Sequence, residues 1–124
     1  MEKSYQLGLG IVRLVRALQN ENREFVLSKQ LLRSGTSIGA NVAEAQGGIS
    51  NADFSAKISI AYKEALETKY WLNLLFDSQM IEEPTFNPLL EATDEVCRIL
   101  YSILKKTRNM GQGTGNREQG TRDR

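Results

Sequence analysis

Apolar residues along this chain recur every three or four positions from near its start to about residue 104. Leu7, Ile11, Leu14 and Leu18 form one stripe. Leu27, Leu31, Ile38, Val42 and Ala45 form a second, with a gap at Ser34. Phe54, Ile58, Ala61, Ala65, Leu72 and Leu75 form a third. Leu89, Val96, Leu100 and Ile103 form a fourth, flanked by Leu90, Cys97 and Leu104. Each stripe is one face of a 3.6-residue helix, and no segment shows the period-two alternation of a half-buried strand. The spacing predicts helices over about 3–19, 24–46, 51–78 and 84–107.

The residues between the stripes fit that division. Asn20-Glu21-Asn22 suits a tight connection. Gly47-Gly48 is expected to supply a left-handed residue that stops the second helix. Ser50 and Asp53 suit a capping-box-like start to the third, with Ile49 and Phe54 at the two positions of a hydrophobic staple. Pro84 and Pro88 open the fourth helix, where a first turn tolerates proline. Lys105, Lys106 and Arg108 are expected at its end, favourable to the negative pole of the dipole. Short loops make neighbouring helices antiparallel, so the expected fold is all-α, an antiparallel up-down-up-down four-helix bundle. The bundle is assigned to residues 1–110. Residues 111–124 are expected to form a disordered, glycine-rich basic tail: they hold no apolar side chain and repeat Gln112-Gly113-Thr114 as Gln119-Gly120-Thr121. Such a segment cannot bury enough surface to offset its chain entropy. It reads either as a neutral extension or as a basic arm for an anionic partner.

Composition narrows the chemistry. The 124 residues are 40% hydrophobic and 25% charged, enough for one domain with a true core. No signal-like or membrane-spanning run is present, and a single cysteine, Cys97, precludes an internal disulfide, so a cytoplasmic location is expected. There is no histidine, which removes His-dependent triads, His metal sites and the di-iron motif of helical bundles. Cys97 lies on the core stripe and is expected to be buried and inert. Glu64 and Glu67, one turn apart, can hold a hard cation or form an ion-paired face, and the latter is the simpler reading. No catalytic residue, metal site or cofactor is assigned. The net charge is +1; residues 107–124 carry four arginines against Glu118 and Asp123, leaving the body slightly negative. That is not the footprint of a dedicated nucleic-acid binder, so any such binding must use a local patch or an assembled surface.

The second helix separates into faces. With Arg33 at zero, Glu44, Ser37 and Asn41 fall within about 80°, and the apolar stripe of Leu27, Leu31, Ile38 and Val42 lies near about 120–180°. Arg33, Ser37, Asn41 and Glu44 form either a solvent face or a hydrogen-bonded polar seam against another helix. A third face holds only small residues: Gly35, Gly39, Ala43 and Gly47. Each interior glycine costs roughly 1 kcal/mol relative to alanine, which close approach of another helix can offset. In an antiparallel hairpin turning near Glu21-Asn22, Gly8 falls opposite Gly35. The intrachain partner is preferred for Gly35; for the others the partner can equally be a second subunit.

The run Gln30-Leu31-Leu32-Arg33-Ser34-Gly35-Thr36-Ser37-Ile38-Gly39-Ala40-Asn41-Val42-Ala43-Glu44 resembles the signature of a bacterial four-helix-bundle family encoded in intervening sequences of 23S rRNA genes. Arg33, Ser37, Ile38, Asn41, Ala43 and Glu44 match in place, whereas Ser34 replaces the usual alanine and Ala45 the usual glycine. Asp53-Phe54, Ala65-Leu66-Glu67-Thr68 and Ile81-Glu82-Glu83 extend the resemblance across about residues 5–106. Relatives of that family include the accessory variability protein of diversity-generating retroelements, a ring-like pentamer that binds a reverse transcriptase and nucleic acid. The resemblance implies a non-enzymatic homo-oligomeric scaffold, a pentamer in the relative's image, whose partner is RNA or a reverse-transcriptase-like protein. It implies no small-molecule substrate and no membrane. Arg13, Arg16, Arg23 and Lys29 are candidate nucleic-acid contacts, chosen for charge and expected exposure. The competing reading is a protein–protein adaptor without a nucleic-acid role.

Overall fold

The computed structural model describes the backbone of residues 2–115 and the side chains of residues 2–108. Four helices follow in chain order: α1 (Glu2–Glu21), α2 (Val26–Gln46), α3 (Asn51–Asp77) and α4 (Glu83–Gly115). There is no strand among the described residues. Each helix packs on two neighbours: α2 on α1 and α3, and α4 on α3 and α1, with α2–α3 the most extensive pairing and α1–α4 the least. The arrangement is the expected four-helix bundle. The predicted stripes meet inside it, and Ile11, Ile38, Leu31, Leu72, Leu75 and Leu100 are fully enclosed.

The gap at Ser34 is filled by polar chemistry. Ser34 and Thr68, both completely buried, face each other across α2 and α3 with hydroxyl oxygens 3.0 Å apart. Thr68 Oγ1 also lies 2.8 Å from the Glu64 carbonyl, and Ser34 Oγ lies 3.3 Å from that of Leu31. Each hydroxyl thus has an acceptor for its proton, so the pair is buried without an unsatisfied group.

The connections depart from expectation in several places. The connection after α1 falls between Glu21 and Val26, slightly beyond the expected Asn20-Glu21-Asn22, and Glu24 caps α2: its carboxylate accepts the amides of Val26, Leu27 and Ser28 at 3.2, 3.1 and 2.8 Å. Negative charge there also suits the helix dipole. The left-handed residue in this turn is Arg23, at φ 57°. At the other end of α2, Gly47 sits at φ −94° and is not left-handed, contrary to expectation. Gly48 is required for space instead, because a Cβ there would lie 3.0 Å from the Ala45 carbonyl oxygen. Ser50 caps α3 as expected, accepting the Asp53 amide at 3.1 Å. The staple does not form: Ile49 is 95% exposed, while Phe54 turns inward to the core.

Gln79, at φ 66°, makes the α3–α4 turn, and the Met80 amide reaches back to the Leu75 carbonyl at 2.9 Å. Beyond it Phe86 is buried and stacks on Phe76 with ring centroids 4.2 Å apart. Pro84 occupies the first turn of α4, but Pro88 lies inside the helix and removes one backbone hydrogen bond. The helix continues through Gly115, past the expected end near 107 and past the expected bundle–tail boundary at 110/111. Once formed, a helix gains one hydrogen bond per added residue, so it can outrun its apolar stripe. Lys105, Lys106 and Arg108 therefore stand well before the helix end, not in its last turn. The rest of the expected tail, residues 116–124, lies outside the described residues.

Gly35 sets the approach of α1 to α2. A Cβ on Gly35 would lie 2.8 Å from Ile11 Cγ2 and 3.1 Å from Ile11 Cβ, inside a fully enclosed side chain. Gly8 is indeed opposite, but a Cβ there would meet only the Gly35 carbonyl oxygen, at 3.9 Å. Gly35→Ala should therefore lower stability by about 1–3 kcal/mol in urea unfolding, through overpacking at Ile11. Gly8→Ala should be neutral or raise stability by up to about 1 kcal/mol, because only the gain in helix propensity remains. Equal effects from both substitutions would contradict this packing.

Candidate functional site

The conspicuous residues of α2 divide between its two partner helices. On the α3 side, Arg33 reaches across to Glu64 at 3.3 Å and to Glu67, and lies 3.5 Å from Gln30 Oε1. Glu67 also accepts the Trp71 indole N–H at 3.0 Å. About three turns further on, Glu44 pairs with Lys57 at 2.8 Å. Between these bridges, Ser37 donates to the Arg33 carbonyl at 2.6 Å and Asn41 donates to the Ser37 carbonyl at 2.8 Å. The ends of the stripe join α2 to α3, and its middle closes on the backbone of its own helix. The Arg33 side chain remains 47% exposed, so the network borders the core without entering it. Glu64 and Glu67 are occupied by a guanidinium, and no group of residues that could hold a metal ion occurs among the described residues.

On the α1 side the small residues have unequal roles. Gly35 packs on Ile11, and a Cβ on Gly39 would meet the Ser4 carbonyl oxygen at 3.5 Å, so both serve contact within the chain. Ala43 is exposed and lines a groove rather than an interface. Gly47 is also exposed and contributes nothing to helix packing; the nearest atom to an added Cβ is the Glu44 carbonyl oxygen of its own helix. Gly10 has the role expected of a packing glycine, although the first helix's periodicity marks it no more than Gly8: a Cβ there would lie 2.9 Å from Leu89 Cδ2, on α4. The groove above Gly8 and Gly39 has a volume of about 380 Å³ and is walled by Tyr5, Leu9 and Val12 from α1 and by Ala40 and Ala43 from α2.

The four candidate basic contacts all lie on the α1–α2 hairpin and all are exposed. Arg13 and Arg16 enter no ion pair among the described residues. Arg23 lies in the turn, with its guanidinium 5.6 Å from the centre of the Phe25 ring. Lys29 sits in the first turn of α2. Lys3, Lys57 and Lys69 are by contrast paired, with Glu95, Glu44 and Asp94.

A family model for the 23S rRNA-intervening sequence protein matches residues 1–102. The chain belongs to this family. A solved structure of a protein of unknown function from the S23 ribosomal protein family of Bacteroides thetaiotaomicron is 47% identical to it. The two superpose with a TM-score of 0.82, covering 84% of this chain and 96% of that one. No curated protein matches. In this family member, the matched signature on α2 is the segment that holds α2 between α1 and α3: Gly35 faces one neighbour, Arg33 and Glu44 the other.

Two ionisable groups on the α3–α4 side are shifted. Burial raises the half-buried Cys97 thiol, and the nearby Asp94 carboxylate adds to the effect. The hydrogen bond and charge of Asp94 raise Lys69. For both groups the folded form holds its proton more tightly than the unfolded chain. Their contributions are complete below the unfolded pKa and are lost as pH rises through the folded value. Stability should therefore decline on the alkaline side, and less so in Asp94→Asn. Alkylation of Cys97 in the native protein should be slower than for a free thiol at the same pH, and faster in Asp94→Asn. On α2, Arg33→Ala should cost about 1 kcal/mol, the scale of a half-exposed network. Asn41→Leu should cost less than Arg33→Ala, since it severs only a bond within one helix; the reverse order in urea melts would contradict this assignment.

Proposed function

We propose that this protein is a non-enzymatic helical scaffold that self-associates and binds RNA or a nucleic-acid-processing protein in the cytoplasm. The observation that carries the proposal is the α1–α2 hairpin, which combines an open apolar groove with Arg13 and Arg16, which enter no ion pair among the described residues. The groove offers Tyr5, Leu9 and Val12 to a second surface. Beside it, Arg13 and Arg16 stand ready for an anion. The Arg33–Glu64–Glu67, Glu44–Lys57, Lys3–Glu95 and Lys69–Asp94 pairs are neutralised within the chain, so they support architecture, not chemistry.

Membership of the 23S rRNA-intervening sequence protein family supports an RNA context by its name alone. The ring-like pentamer named above among the family's relatives is the pattern on which we propose a closed ring of about five copies. Ring closure would also answer the low net charge of +1, because it repeats each local basic patch around an axis. Linked weak contacts then act together on one polyanion. The low charge is equally the observation that favours the second reading, a protein–protein adaptor that assembles through the same groove and binds no nucleic acid.

Sedimentation at micromolar concentration should show an oligomer, and Leu9→Glu in the groove should shift it toward the monomer. Retention on an anionic matrix should fall steeply with salt, as phosphate-like contacts require, and Arg13→Ala with Arg16→Ala should flatten that dependence. A monomeric wild type would refute the assembly. An oligomer that binds no RNA at low salt would leave the adaptor.

A further inference from the structure

We propose that the outer face shared by α3 and α4 is a landing surface for single-stranded RNA, with Arg98, Lys105 and Arg108 holding phosphates and the Tyr62–Tyr101 ring pair stacking a base. The proposal rests on the RNA-binding reading above and assigns it a surface separate from the α1–α2 hairpin.

Arg98, Tyr101, Lys105 and Arg108 follow one another at spacings of three, four and three, which places them in one row along α4. All four are exposed. The three cations enter no ion pair among the described residues. Like charges one or two turns apart repel, so the row costs the isolated chain some stability. A helix terminus would offset that cost through the dipole, but α4 runs on through Gly115, and its last turn holds no basic residue. The positive row therefore lacks a partner within the described fold.

The row also carries aromatic surface. Tyr101 is 46% exposed and leans on the partly buried Tyr62 of α3, ring centroids 5.8 Å apart at 41°. Leu66, one turn beyond Tyr62, is 46% exposed. Half-open rings beside free cations are the combination that single strands exploit, because every unpaired base offers a face to a ring while its phosphates meet lysine or arginine. A duplex keeps its bases stacked inside and can use only the cations. The net positive charge of the row complements a polyanion better than a neutral protein surface.

The test uses the full chain and a fluorescently labelled oligouridylate, with an RNA duplex of equal length for comparison, titrated across a salt series by anisotropy. The wild type should prefer the single strand. Arg98→Ala, Lys105→Ala and Arg108→Ala combined should weaken binding about tenfold or more and reduce the log–log salt slope by about 2, the release expected for three phosphate contacts on a single strand. Tyr101→Leu should weaken single-strand binding about fivefold or more without changing the slope, whereas Tyr101→Phe, which keeps the ring, should bind like the wild type. Circular-dichroism melts confirm that each variant is folded. If the triple variant binds like the wild type while Arg13→Ala with Arg16→Ala loses binding, the α3–α4 surface is overturned and the RNA reading stands. A silent Tyr101→Leu overturns the stacking role. A wild type that binds neither RNA overturns both readings in favour of the adaptor.

Discussion

Where α1 crosses α2, the Ile11 side chain fills the space that any residue larger than glycine would occupy at position 35. This contact fixes how near the two helices lie and at what register. Gly8 then falls over the Gly35 carbonyl, Gly39 over the Ser4 backbone, and Tyr5, Leu9, Val12, Ala40 and Ala43 are left outside as the walls of a groove. Because Gly35 faces α1, the opposite side of α2 is free to meet α3, where Ser34 joins Thr68 inside and Arg33 joins Glu64 and Glu67 at the rim. One position without a side chain thus lets α2 be sandwiched, and a protein with the matched signature on this helix uses nearly every turn of it for contact.

The fold was legible because helical periodicity survives without any knowledge of partners. Four stripes gave four helices, and the pairing of Gly8 with Gly35 followed from counting outward from the turn. What was not legible depended on geometry that a one-dimensional pattern does not carry. Arg23 and Gln79 adopt left-handed backbone although neither is the glycine that such a conformation favours, while the two adjacent glycines after α2 do not. Ile49 sits at a staple position but points to solvent, since the chain leaves Gly48 along a path governed by a close approach to Ala45. The length of α4 was underestimated because the apolar stripe ends before the helix does.

The same limit applies to the surfaces. Glu64 and Glu67 were visible as an acidic pair one turn apart, but their cation lies 31 and 34 residues away in sequence, so nothing local named Arg33 as the partner. Ser34 was visible only as a missing apolar residue, and Thr68 as part of a matched segment; their bond needs the registry of two long helices. The basic residues late in α4 carried a local explanation, the helix dipole, that only the full length of the helix removes. Charges that are paired in space and charges that are free look alike in a sequence, and separating them is what gives the surface a direction.

The seam between α1 and α4 differs in kind from the other three. Its helices are neighbours without being joined by a short loop, it has the least contact, and an open volume of about 310 Å³ lies along it beside Lys3 and Glu95. Connectivity holds the other pairs at high effective concentration; this pair stays together by its own contacts alone. Local opening is therefore expected to begin along this seam, where Gly10 meets Leu89, before the loop-tied pairs part.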